Sequence, residues 1–164
     1  VGREPTVDYK TSSKEGTQHV FSYVFILRCG DTLVKTGSSE AFLSSGYYVY
    51  LGSANIKQPY LRVLRHFMRG GKKLKWHIDY LTVACDPAGA LLCSGVSENT
   101  LYEILKRLDY LVPSVKGFGC SDYRGTHETH LFKFGVGVGS PYEVVNYFTS
   151  VLKKHCSEVE LILG

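Results

Sequence analysis

The run Val20-Phe21-Ser22-Tyr23-Val24-Phe25-Ile26-Leu27 constrains the fold most, because eight residues this rich in β-branched and aromatic side chains, broken only by Ser22, must be shielded from water. It falls far short of the ~20 apolar residues of a membrane-spanning helix. It reads instead as a strand from His19 to Cys29, with Gly30-Asp31 as the turn that follows. No longer apolar run occurs and no charged-then-apolar leader precedes this one, so neither a membrane span nor a secretory signal is expected. A chain of 164 residues, 44% apolar and 21% charged, is long enough to close one core, which excludes wholesale disorder.

The rest of the chain alternates irregularly. Residues 1–18 are polar and without periodicity and read as a flexible arm, leaving 19–164 as the domain. Thr32 to Thr36 and Tyr47 to Leu51 read as short strands on either side of a Gly/Ser-rich stretch at 37–46. Pro59 to Arg69 reads as a helix, with proline at its first position and Gly70-Gly71 ending it. Its apolar side should be Tyr60, Leu64, Phe67 and Met68, and its cationic side Arg62, Arg65, His66 and Arg69. Leu74 to Ala84 reads as a strand and Ser97 to Leu108 as a helix capped by Ser97. Gly117 to Gly125 reads as a loop and Thr129 to Phe134 as a strand. Ser140-Pro141-Tyr142-Glu143 combines a capping box with proline at N1 and opens a helix to about His155, before a last strand, Val159 to Leu163. The expected architecture is α+β, one domain with helices packed on a small mixed sheet.

Five cysteines (Cys29, Cys85, Cys93, Cys120, Cys156) are odd in number and scattered, with no CxxC pair. That spacing argues against a disulfide scaffold and for a reducing cytoplasm, with an intracellular disulfide left open only for a hyperthermophilic source. The net charge of +4 hides an asymmetry, since no acidic residue lies between Glu40 and Asp79. Lys57, Arg62, Arg65, Arg69, Lys72, Lys73 and Lys75 fall within that gap, with His66 and His77. A polyanionic partner is expected on that side, the alternative being a solvated basic face.

Tyr48-Val49-Tyr50-Leu51-Gly52-Ser53-Ala54 followed by Arg62-Val63-Leu64-Arg65-His66 resembles the second half of the GIY-YIG nuclease signature. Trp76-His77-Ile78-Asp79-Tyr80-Leu81, Gly117-Phe118-Gly119-Cys120-Ser121-Asp122 and His130-Leu131-Phe132 narrow the resemblance to a largely uncharacterised, mainly archaeal domain family in that superfamily. It is strongest over residues 20–134, with the helix and strand in 140–164 as an addition. The resemblance implies a one-metal phosphodiesterase using Mg²⁺ or Mn²⁺ on nucleic acid, DNA ahead of RNA. Tyr50 takes the place of the YIG tyrosine and Tyr23, in Ser22-Tyr23-Val24, that of the GIY tyrosine. Arg62 takes the place of the helix arginine, His66 that of a histidine one turn later, and Glu98 that of the metal-binding glutamate, with Glu103 as the alternative.

Those residue types suit the chemistry. Phosphodiester hydrolysis requires a deprotonated water, a neutralised phosphorane and a stabilised alkoxide. A carboxylate on Mg²⁺ serves the alkoxide, and a forked arginine serves the non-bridging oxygens. A tyrosine serves as base only where neighbouring cations lower its ordinary pKa of ~10. His77 and Asp79, alternating on a strand, would share a face and could pair, with His77 near the scissile phosphate. Arg65, Arg69, Lys72, Lys73 and Lys75, with Lys57, should track the nucleic-acid backbone. The glycine and isoleucine of the first motif are absent, which favours a rival reading as a binding module without turnover. His127-Glu128-Thr129-His130 is a near miss for a zinc motif, because its histidines stand at i and i+3 rather than i and i+4. The glycines of 135–139 read as a flexible connection rather than a phosphate cradle, since no Walker lysine follows them.

Overall fold

The first strand sits at the centre of a six-stranded sheet, where it must be apolar on both sides. The structure, a computed structural model, describes residues 20–164 except 38, 124 and 136, so the expected arm at 1–18 lies outside the described residues. Strands β1 (Phe21–Cys29), β4 (Gly46–Ser53), β5 (Asp86–Ser94), β6 (Leu111–Pro113), β7 (Leu131–Phe134) and β8 (Glu158–Ile162) form the sheet, in the order β6-β7-β4-β1-β5-β8. Among the described residues every pairing is antiparallel. Strands β2 (Thr32–Lys35) and β3 (Glu40–Leu43) form a separate hairpin. Helices α1 (Pro59–His66) and α2 (His77–Ala84) cover one face, and α3 (Glu98–Leu105) and α4 (Pro141–Lys153) the other.

Alternation along β1 builds the two cores. Tyr23, Phe25, Leu27 and Cys29 pack with Val63 of α1 and Ile78 and Leu81 of α2. Val24 and Ile26 pack with Leu101 and Leu105 of α3 and Val144 and Phe148 of α4. The α+β expectation of one domain with helices on a small sheet is what the chain forms. Among the described residues, no helix is long and apolar enough to cross a membrane.

Several local expectations are corrected. Leu74 to Ala84 is not a strand: residues 77–84 form α2, and the Asp79 carboxylate accepts from the backbone N–H groups of Lys75 and Trp76 to start it. On α1 the buried face is Val63 and His66, while of the expected apolar side Phe67 packs on the core and Tyr60, Leu64 and Met68 are exposed. The helix is short, and its arginines are tied down: Arg62 donates to the Ser53 carbonyl and Arg65 pairs with Asp79, while Arg69, beyond its end, forms an exposed pair with Asp86. The capping box expected at Ser140 is not made: the Ser140 side chain makes no cap bond, and Glu143 accepts from the N–H of Gly139, one residue before the cap. Two disulfides, Cys29–Cys85 and Cys93–Cys156, replace the expected set of free thiols, leaving Cys120 as the free, buried cysteine. The expectation of a reducing cytoplasm loses the support it drew from unpaired cysteines.

Candidate active site

The N-terminal end of β1 and the C-terminal ends of β4 and β5 meet at one end of the sheet, where Tyr23 lies opposite Gly52 on one side and Leu92 on the other. The chain leaves β4 into α1 and β5 into α3 there, so side chains far apart in sequence converge. A cleft of about 160 Å³ is lined by Tyr23, Tyr50, Arg62, Trp76, Glu98 and Asp122. Four of these are the tyrosines, arginine and glutamate singled out by sequence.

Two glycines shape its floor. A Cβ on Gly52 would overlap the Tyr23 phenol. Gly119, at φ +72°, lies under Tyr50, whose Cε1 would be 2.6 Å from an added Cβ. The two tyrosine rings are 6.4 Å apart, and Phe118 meets the Tyr50 ring edge-on at 6.1 Å. The Tyr23 hydroxyl is 2.7 Å from His66 Nε2. Tyr23 and Tyr50 are only 3% and 6% exposed.

Burial decides the electrostatics here. It pushes the Tyr23 phenol well above its ordinary pKa, with Tyr50 and Glu98 adding to the rise and Arg62 opposing it. Burial, then Glu98 and Asp79, pushes Tyr50 up as well. Burial thus outweighs the neighbouring Arg62 cation at Tyr23, and both phenols stay neutral donors. Burial and the Lys72 charge hold His66 down to about 3, so its imidazole is neutral. Its Nδ1 is buried without a partner. A buried N–H without an acceptor costs more than a bare lone pair, which places the ring hydrogen on Nε2, donating to the Tyr23 oxygen. The phenol hydrogen is then left for the cleft.

Arg62 donates through Nη1 to the Ser53 carbonyl at 3.2 Å, and its guanidinium lies 5.3 Å from the Trp76 ring centre. One N–H group is thus spent on fixing the fork, and the others face what enters the cleft. Glu98 opens α3 directly after Ser97, whose hydroxyl accepts from Thr100 N–H, and its side chain is 17% exposed. Among the described residues no group of three or more His, Cys, Asp and Glu could hold a metal ion. Mg²⁺ does not need one, since it takes one or two carboxylates and keeps several waters. The hard oxygens of Glu98 and Asp122 on one open cleft fit that requirement.

The remaining expected residues lie elsewhere. His66 stands behind Tyr23 and is fully buried. His77 is outside the cleft, its Nδ1 accepting from Gly119 N–H at 2.6 Å, which holds the loop beneath Tyr50. Asp79 does not pair with His77; its oxygens are taken by Arg65 and by backbone N–H groups. Glu103, the alternative ligand, pairs with Lys106 and Arg107 and does not line the cleft. Of the cations expected to track a phosphate backbone, Arg65 and Lys72 are committed to Asp79 and Arg69 to Asp86, while Lys57, Lys73 and Lys75 are exposed. Lys72 has a side chain only 3% exposed. Asp122 and Trp76 were missed as cleft residues, although Asp122 stands in the quoted Gly117–Asp122 segment and Trp76 opens the other block. His127 and His130 bond each other at 2.7 Å.

Residues 22–152 match the profile of the family described as "Domain of unknown function DUF123". No curated protein and no solved structure matches the chain.

Proposed function

We propose that this chain, which belongs to the DUF123 family, is a divalent-metal-dependent endonuclease of the GIY-YIG type, hydrolysing phosphodiester bonds of DNA ahead of RNA. The observation that carries the reading is the meeting of Tyr23, Tyr50, Arg62 and Glu98 on one cleft. Glu98, with Asp122 on the same cleft, would hold Mg²⁺ or Mn²⁺. When bound, such a cation polarises a phosphoryl oxygen and stabilises the departing alkoxide.

The chain's own groups account for the rest. Arg62, oriented by Ser53 and Trp76, directs its remaining N–H groups at the non-bridging oxygens, where negative charge grows. Tyr23, receiving a hydrogen bond from His66, and Tyr50 are neutral donors that orient a water or a phosphate oxygen. Lys57, Lys73 and Lys75 supply long-range attraction to the backbone.

The test compares the protein and its Glu98→Gln variant on duplex, nicked and branched DNA and on RNA, with Mg²⁺ or Mn²⁺. Wild type should release product, and the variant should be slower by at least about 100-fold. No cleavage by either protein, or equal cleavage by both, defeats the proposal. The raised tyrosines favour one rival, a nucleic-acid-binding module without turnover. It is chosen if both proteins bind with the same salt dependence and neither cuts.

A further inference from the structure

Glu98 is the outer end of a line of polar groups that the cleft does not use. His130, fully buried, places Nδ1 3.4 Å from Glu98 Oε2. Its Nε2 is 2.7 Å from His127 Nδ1, and His127 Nε2 is 2.8 Å from Asn99 Oδ1. Asn99 follows Glu98 in the first turn of α3, so the line closes on the residue beside the one where it began. The His127 ring is stacked between Tyr102 and Tyr123, at 3.9 and 4.0 Å and within 12° and 7° of parallel. Stacked on both faces and bonded at both nitrogens, it has no freedom to turn.

We infer that His130, oriented by His127 and Asn99, is a positioning residue that points an Nδ1–H group at Glu98 and fixes which carboxylate oxygen faces the cleft. This rests on the reading of Glu98 as the cation's ligand. Hydrogen counting gives the direction. His130 Nδ1 is buried and makes no well-formed hydrogen bond. A hydrogen on His130 Nε2 alone would leave the buried Nδ1 lone pair facing the carboxylate, which is repulsive. A hydrogen on Nδ1 reverses this. His130 Nε2 then accepts from His127 Nδ1–H, and His127 Nε2 accepts from Asn99 with its amide turned to present nitrogen. Amide oxygen and nitrogen are nearly isosteric, so that turn costs no packing. Both nitrogens of His127 and Nε2 of His130 are then satisfied, and the Nδ1–H of His130 faces Glu98 Oε2 at 3.4 Å. Burial holds His127 toward its neutral form, as the line requires. Ligating carboxylates are commonly tuned by such outer partners.

Two measurements test the inference. In metal-free protein with ¹⁵N-labelled histidine, long-range ¹⁵N–¹H correlation should show both His127 and His130 as Nδ1–H tautomers. Asn99→Asp, at an exposed position where an acidic residue suits a helix start, can only accept and should drive both rings to Nε2–H. An Nε2–H His130 in wild type, or an unchanged pattern in Asn99→Asp, overturns the line. Mn²⁺ affinity, read by electron paramagnetic resonance beside a thermal melt, should fall by about 10–100-fold in His130→Leu. His130→Gln, which retains an N–H donor, should recover most of it. Unchanged affinity in His130→Leu overturns the positioning role alone, whereas no Mn²⁺ uptake by wild type overturns the reading of Glu98 beneath it.

Discussion

A missing side chain sets the cleft floor: nothing larger than hydrogen fits at residue 52 beneath the Tyr23 ring. Gly52→Ala should push that ring off His66, costing about 1–3 kcal/mol of stability and at least about 10-fold in cleavage. A thermal melt and a rate measurement on one preparation check it. His66 gives a signature of its own. Its folded-state pKa of about 3 lies below the ordinary 6.5, so between those values the unfolded chain binds a proton that the folded chain refuses. Stability should therefore be full above about pH 6.5 and fall with acid, by up to about 1.4 kcal/mol per pH unit. His77 and His127, also lowered by burial, slope the same way. Asp79 is displaced by the opposite logic: burial alone would raise it, but Arg65 and two backbone N–H groups win and lower it, so its loss comes only below about pH 3.8. Urea titrations from pH 4.5 to 8 should show a shallower slope for His66→Phe than for wild type.

Elements were legible where periodicity and caps agreed, as in β1, β4, α3 and α4. Strand β5 was not, because Asp86-Pro87-Ala88-Gly89 looks like a breaker. In the fold those residues make a bulge, with Pro87 opposite Leu27, Gly89 opposite Ile26 and Ala88 left over between them. Helix α2 has the branched composition of a strand, and Asp79, read as half of a pair with His77, turned out to be what starts it. The candidate site fared better, since residue types with a definite chemical task can be picked out before their neighbours are known. Its supports were invisible, because Gly119, Asp122 and His130 gain meaning only from what lies across the fold. The cysteine pairs were hidden for the same reason, separated by 56 and 63 residues and joining β1 to α2 and β5 to the end of α4. Replacing Cys93 and Cys156 together by serine should cost about 2–4 kcal/mol and leave the cleft intact. Calorimetry with and without reductant, alongside the cleavage rate, reads both effects.

Across the whole molecule, the acid-free stretch of sequence is not an acid-free surface, because α2 and the start of β5 return Asp79 and Asp86 to the same helix flank. Attraction to nucleic acid should therefore rest on few cations. Lys73→Ala and Lys75→Ala should each lower the salt slope of binding by about 1, with melting temperature unchanged. Arg69→Ala should leave that slope alone; fluorescence anisotropy over a range of salt concentrations separates the two classes. Both tyrosines stand on inner strands, flanked on each side by a hydrogen-bonded neighbour, whereas Glu98 and Asp122 come from a helix start and a short 3₁₀ turn. The anvil is thus welded into the frame while the jaws hang from its edge. Descendants of such a chain can reshape what the cleft grips, one loop at a time, without recasting the surface on which the tyrosines stand.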